Sequence, residues 1–570
     1  MPCSPTELSA LRLLVSDSES ASFCSNTSTA GEAGSGALVV LLATKLQNIT
    51  QQLSTLQVKQ AESNFGLDTQ FLLSNAALVF IMQMGLAMFV AGTVRAKNIS
   101  AILMKSAIDT CITAVGFYCL GYGFARGEVN NAFIGTQDFA LAEMTRAAPG
   151  HRLWHLWGWE WVFCATSATI LAGAVAERGT FISYMIWTAI YSMWVYPVVA
   201  YWSWDVKGWL SASNPNAILG MGAIDFAGSG VVHTQGGFAA LVAAALLGPR
   251  IGRFEAGANM RLYKGGHNSP LYLLGTFFMW LGWYGFNPGS NLAVHNFQEA
   301  DVVARTAVTT TLAAAGGGIV SLLLVYRRQR SWDMFAVCCG VLGGLVSNTA
   351  GCSVFEPWAA LLCGALSAPW VLLGDDLMDW LRIDDPCQAF PMHGMAGIWG
   401  MLCVGLLAKE EYVVQVYDKQ AGRHMMGLLY GGHGQLLLCQ IIAVLVVIAW
   451  VCFWSGLFFW GMKKAGLLRI PLEDEAVGMD AATMATDQAE VTRAHYTKVG
   501  NDASVKRATG TVLLANASDQ AARGVSMPQP FEVAAERSDG LALGSAAVWA
   551  DMESGRVAPT SLEQQVRRLG

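Results

Sequence analysis

Two histidines stand in apolar, helix-length stretches, each eight residues after an aspartate. Asp225 and His233 lie in AIDFAGSGVVHTQGG; Asp385 and His393 lie in DDPCQAFPMHGMAGI. A neutral imidazole both donates and accepts a hydrogen bond, and it changes charge near neutral pH. Ionisable residues are expensive inside a bilayer, so an intramembrane histidine is a functional candidate by default. One buried histidine is usually structural. Two in matching contexts point instead to a duplicated architecture with a site where its halves meet. No third ligand accompanies either string, and the 13 cysteines show no CxxC or Cys/His spacing, so no metal is expected. No cofactor is implied. Nucleophile elbows, phosphate loops and metal motifs are missing from the polar segments, so an enzyme is not expected.

The elements that must position these residues are membrane spans. The chain of 570 residues is 54% hydrophobic and only 13% charged, against about 25% charged in soluble proteins. That composition predicts an all-α polytopic membrane protein and argues against nucleic-acid binding. A span needs roughly 20 apolar residues. Eleven are expected, near 70–94, 101–124, 155–175, 181–203, 226–247, 269–287, 303–325, 333–349, 354–374, 388–408 and 433–461.

Basic residues orient the spans. Arg95, Lys97 and Lys105, then Arg250, Arg253, Arg261 and Lys264, then Arg327, Arg328 and Arg330, then Lys463 and Lys464 all fall on one side if the N-terminus is outside. The opposite loops carry Glu128, Asp138, Glu143, Glu299 and Asp301. Residues 1–68 are then extracellular, 69–465 form the membrane domain, and 466–570 form a cytoplasmic tail that is largely disordered by composition. No basic segment precedes a long apolar one at the N-terminus, so a cleaved signal peptide is not expected. Cys3 and Cys24 could pair outside, and Asn26 and Asn48 stand in glycosylation sequons. Within a helix expected over 36–60, Val39, Leu42, Leu46, Ile49, Leu53 and Leu56 form a heptad stripe. It reads either as a short coiled coil above two strands or as a helix packed on the membrane domain.

The chain also repeats internally. MQMGLAMFVAGT from Met82 aligns with MWLGWYGFNPGS from Met279, pairing Gly85 with Gly282 and Phe89 with Phe286. With the two Asp-x7-His strings, this makes spans 1–5 repeat as spans 6–10, with an added eleventh. Five is odd, so the second copy is inverted, and the interface between halves is the expected substrate path.

The strings VRAKN (94–98), AERGTF (176–181), YPVVAYWSW (196–204), GAIDFAGSGVVH (222–233), GWYGFNPGS (282–290), VSNTAGCSVFEPWAA (346–360) and DDPCQAFPMHG (384–394) resemble the ammonium transporter family, closest to its eukaryotic, plant-type members. The resemblance covers about residues 68–480. It implies the ammonium transporter fold, a homotrimer with one pore per subunit, and ammonium or ammonia as substrate, in a membrane expected to be the plasma membrane. It places Phe163, Trp204 and Ser290 at an outer ammonium site, and Phe163 and Phe286 in a stacked hydrophobic gate. It makes His233 and His393 the twin histidines of the pore. It gives Asp225 a supporting role at the outer site, with direct coordination of the ion as the alternative. Trp283, Asn287 and Thr349 match positions near the path.

The family's implied chemistry is selective. A site that recruits the cation, removes its proton and passes neutral ammonia rejects potassium, which is of similar size but has no proton to give. The chain departs from the pattern at Trp159, where phenylalanine or tyrosine is usual, and at Glu160, where many members have glutamine. Glu160 either raises cation affinity or pairs with Arg152 or His155. The histidine-glycine run that usually follows GMD (478–480) is missing, which leaves coupling or regulation between subunits through the tail in doubt; a cytoplasmic regulator of the tail stays open as a partner. Two other functions stay open: a passive ammonia channel of the Rhesus kind, and an ammonium sensor signalling through the tail.

Overall fold

The computed structural model describes residues 33–127, 131–148, 150–257, 260, 263–417 and 423–483, with side chains from Leu42 onward. Arg261, Glu128, Cys3, Cys24, Asn26 and the tail beyond Thr483 lie outside the described residues. The described residues form a helical body with two isolated β-bridges and no strand. A helical rod lies at each expected span. These are α1 (Ala33–Thr93), α2 (Ala96–Arg126), α3 (Trp154–Ala174), α4 (Phe181–Trp204), α5 (Ser229–Leu247), α6 (Ser269–Gly289), α7 (Phe297–Gln329), α8 (Met334–Asn348), α9 (Pro357–Trp380), α10 (Phe390–Leu407) and α11 (Gln435–Lys464). Eight are long and apolar enough to cross a membrane. The other three are α3, rich in tryptophan and carrying Glu160, the aromatic-rich α6, and the short α8. Apolar side chains such as Phe80, Phe277, Leu323, Leu445 and Phe453 are exposed on the rods. That is the surface a protein solvated by lipid presents.

Local chemistry sets the helix ends. Asn268, Asn296 and Asp333 accept a hydrogen bond from the backbone N–H three residues on, at the starts of α6, α7 and α8. Pro357 opens α9, where its missing N–H costs nothing. Helix α1 departs most from expectation. It runs without a break from Ala33 through the expected boundary at residue 68, and Leu46, Ile49, Leu53 and Leu56 are each more than half exposed. These four heptad positions are therefore not covered by the membrane domain. Asn48 is exposed on the same helix.

Two close crossings join the repeats. Gly85 of α1 lies under Met279 of α6, and Gly282 of α6 lies under Met82 of α1; a Cβ at these glycines would stand 2.7 and 2.2 Å from the partner's Cγ. Gly237 of α5 faces the Gly394 backbone at 2.2 Å from such a Cβ, and Gly397 of α10 faces Thr234, with Oγ1 at 2.5 Å. Each contact is matched by its repeat-related counterpart with the partners exchanged. That is the signature of a two-fold arrangement, here within one chain.

The basic residues between rods are more buried than loop charges usually are. Arg250 joins Glu177 and Asp384, Arg95 joins Glu177, and Arg253 and Lys264 share Asp379. Lys105, read from sequence as a loop charge, lies inside α2, buried, with Nζ donating to the Gly179 carbonyl at 2.8 Å. The start of the expected tail is also structured. Two short helices, Leu472–Val477 and Met479–Thr483, bind back on the body. Glu475 accepts from the Ile251 N–H, and the Asp480 carboxylate accepts from the Ser100 and Ala101 N–H groups at the start of the α2 rod.

Candidate functional site

A cavity of about 250 Å³ opens at the ends of α3, α4 and α6. Phe163, Trp204, Ser290, Trp159, Glu160 and Asp225 line it together with Arg126, Asn291, Glu299 and Tyr417. From its floor a column of rings leads into the body. Trp204 meets Phe163 edge to face with centroids 5.9 Å apart, and Phe163 stacks on Phe286 at 4.0 Å. Phe286 lies 5.6 Å from the His233 ring, and His233 lies 5.3 Å from His393. The structure thus brings five residues from five helices into one continuous column.

Each ring is held by its element. Trp204 is the last residue of α4, and its indole N–H donates to the Asp225 carbonyl at 2.7 Å, which fixes its orientation in the cavity wall. Ser290 caps the end of α6 and donates its only hydroxyl hydrogen to the Phe286 carbonyl at 2.8 Å. Its oxygen is left as an acceptor, the role a donor-only cation requires. Trp159 packs on Phe163 at 4.7 Å and over Gly289, where a Cβ would strike its ring at 2.4 Å. Aromatic faces attract a cation with roughly 0.5–2 kcal/mol each.

The histidines sit in matched π-turns, Ser229–Thr234 and Phe390–Met395, at the starts of α5 and α10. Such turns concentrate at functional sites, because widening one helical turn re-aims its side chains. Asp225 and Asp385 fold the chain into those turns. The Asp225 carboxylate accepts from the N–H groups of Gly228 (3.1 Å), Gly230 (2.9 Å) and Val231 (2.9 Å). The Asp385 carboxylate accepts from Phe390 N–H, the repeat-related bond, at 2.8 Å. Both Asp225 oxygens are therefore engaged by backbone.

His233 and His393 are buried, with their Nδ1 atoms 3.2 Å apart. One must donate and the other accept, so two neutral rings take opposite tautomers. The His233 Nε2 atom is buried without a hydrogen-bond partner among the described residues. Trp283 stacks on His233 at 5.4 Å, and its N–H donates to Thr349 Oγ1 at 3.0 Å. Asn287 lies beside the column but turns its amide to Thr310 at 3.0 Å.

Glu160 pairs with neither Arg152 nor His155. Its partner is Arg126, at the end of α2, while Arg152 donates to the Ala147 carbonyl and His155 lies against Phe65 and Thr69. Arg126 is the residue that sequence reasoning missed. The available signal was a lone arginine in GYGFARG, at the end of an apolar stretch on the acidic side of the charge pattern.

Comparisons with known proteins identify the family and the fold. The profile of the Ammonium Transporter Family matches residues 70–489. Ammonium transporter 1 member 3 of Solanum lycopersicum is 41% identical over 434 residues, covering 74% of this chain and 93% of that protein. Ammonium transporter 1 member 1 of Oryza sativa subsp. japonica is 43% identical over 432 residues, covering 74% and 85%. Among solved structures, one titled Sensor Amt Protein superposes with TM-score 0.66 at 31% identity, covering 74% of this chain and all of that one. Candida albicans Mep2 superposes with TM-score 0.63 at 26% identity, covering 73% and 88%. Fold, repeat and sequence converge: the chain is an integral membrane protein and belongs to the ammonium transporter family.

Proposed function

We propose that this transporter recruits ammonium in the cavity bounded by Phe163, Trp204 and Ser290, where the ion gives up a proton to water of the open cavity, and that ammonia passes the gate of Phe163 and Phe286, whose stacked rings must part, to the twin histidines. The observation that carries the reading is the ring column ending on the unpartnered His233 Nε2. Taking a bare cation through an apolar throat costs several kcal/mol even after relaxation. Neutral ammonia avoids most of that cost. It can hydrogen-bond the free His233 Nε2, and the Nδ1···Nδ1 bond offers the proton a separate relay. The outer site binds through aromatic faces and a hydroxyl, with the Glu160 charge paired to Arg126, so the cation can leave. Asp225 supports the site through the backbone, each of its oxygens accepting from N–H groups of the turn before His233.

The same reading takes all eleven rods as crossings, with the N-terminus outside and the C-terminus inside, in the plasma membrane, as a homotrimer. The three more polar or shorter rods carry the site (α3 and α6) or flank it (α8), where composition answers to chemistry more than to lipid.

Uptake-deficient cells on low ammonium test the function. Growth restored by the wild-type chain, and lost with the His233 and His393 variants, supports it. Surface expression without uptake would favour the sensor reading, which the likeness to a structure titled Sensor Amt Protein keeps in play.

A further inference from the structure

We propose that the Arg126–Glu160 ion pair balances charge at the outer cation site and so sets its ammonium affinity. Glu160 draws the cation in, and Arg126 offsets that pull so that the ion can move on. The inference rests on the cavity being the ammonium-recruiting site and adds a determinant to it.

Both side chains line the cavity that Phe163, Trp204 and Ser290 share. Glu160 precedes Phe163 by three residues on α3, so the carboxylate and the ring leave the helix on one face. The Glu160 side chain is 3% exposed and that of Arg126 24%. Arg126 aims two nitrogens at one carboxylate oxygen: Nε donates to Oε1 at 3.0 Å, and Nη2 makes the closer contact with the same atom. The other oxygen, Oε2, is buried with no hydrogen bond among the described residues. Arg126 Nη1 reaches the Trp204 carbonyl at 3.4 Å, so the guanidinium touches the residue that offers its face to the cation. The remaining carboxylates in the cavity wall are already engaged, Asp225 by backbone and Glu299 by the Asn291 amide.

A buried pair broken on one side leaves an uncompensated charge. Here that charge would act on the substrate. At roughly 8 Å and an effective dielectric between those of a protein surface and water, a unit charge changes cation affinity about three- to tenfold or more. The two halves of the pair push in opposite directions. Glu160→Gln leaves Arg126 facing the site and raises KM. Arg126→Gln leaves Glu160 unpaired, lowers KM and slows release, so Vmax falls. The double variant lies between the single ones. A packing role predicts something else: both single variants impair uptake alike, and the double variant is at least as poor.

The test is the concentration dependence of ammonium uptake in uptake-deficient cells, normalised to surface protein, for these variants and for Trp204→Leu. Opposite KM shifts of about threefold or more support the proposal. Should an amide variant not reach the surface, Glu160→Ala and Arg126→Ala replace it, since truncation there opens onto an existing cavity. If no combination gives opposite shifts, the proposal is overturned. The Trp204→Leu arm separates the two levels. Unchanged KM there removes the outer site itself. Raised KM there, with like-signed shifts from the pair, removes only the charge balance.

Discussion

Asp225→Asn separates two jobs that the carboxylate could do. In the structure it accepts three backbone N–H groups at 2.9–3.1 Å. Hydrogen bonds to a charged group contribute about 1.5–3 kcal/mol each, against about 1 for neutral pairs. Asparagine keeps one acceptor oxygen and turns an NH2 donor toward the remaining N–H. Two bonds drop to neutral strength and one becomes a donor–donor conflict, for a total loss of about 2.5–7 kcal/mol. The loosened turn carries Trp204 with it, because the indole bonds to the Asp225 carbonyl, and the π-turn of His233 starts four residues on. The expected outcome is lower thermal stability in detergent together with falling Vmax. Both are read on the purified chain and in cell uptake, beside Asp225→Glu as a charge-preserving control. If Asp225→Asn left the melting temperature unchanged and raised KM alone, the carboxylate would be a ligand for the ion and the structural account would be refuted.

Further outcomes follow from other parts of the molecule. His233→Asp should abolish ammonium-evoked currents on solid-supported membranes, since it removes both the bond to His393 and the free Nε2; a persisting current would sink the relay. Gly237→Ala and Gly397→Ala should each cost about 1–3 kcal/mol or more, because their Cβ atoms meet backbone or Thr234 at 2.2–2.5 Å. Gly456→Ala, with nothing within 4 Å, should be neutral or slightly stabilising; thermal melts that fail to separate the three would contradict the close crossing. Glu356 is clamped by Tyr430, Trp358 and Lys409, whose hydrogen bonds hold its carboxyl down to about 2 from its ordinary 4.5. Its stabilising effect is therefore fully present above about pH 4.5 and lost as pH falls through about 2. The melting difference between wild type and Glu356→Gln should hold from pH 7 to pH 5 and shrink on further acidification; a difference that grows in acid would reverse the sign.

Of the ring column, only the two histidines were legible from the residues themselves, because an ionisable group in an apolar stretch is costly. Phe163, Trp204, Ser290 and Phe286 follow only from the resemblance to the ammonium transporter family. What stayed hidden is what hydrophobic periodicity does not encode. The π-turns differ from α-helix by one hydrogen-bond step and leave the apolar pattern intact. The polar stretch between the heptad and span one holds Gly66 but no proline, so nothing forces α1 to stop at residue 68. Lys105 reads as a loop charge in one dimension; only the Gly179 carbonyl across the helix pair makes it a buried residue. Glu160 found Arg126 for the same reason, since partners 34 residues apart on different helices leave no local trace.

The reciprocal glycine seam also bears on how the chain is made. Gly85 waits for Met279, and Gly282 arrives to receive Met82 roughly 200 residues later. At about 5–20 residues per second of synthesis, that is a delay of roughly 10–40 s. During it the first five rods wait with a bare groove along α1. Lipid fills such a groove poorly, and no hydrophobic gain drives helices together inside a bilayer. The half-made protein is thus an open clasp, and any copy of the second half can close it, including one from a neighbouring ribosome. A chain built this way depends on its own second half arriving first.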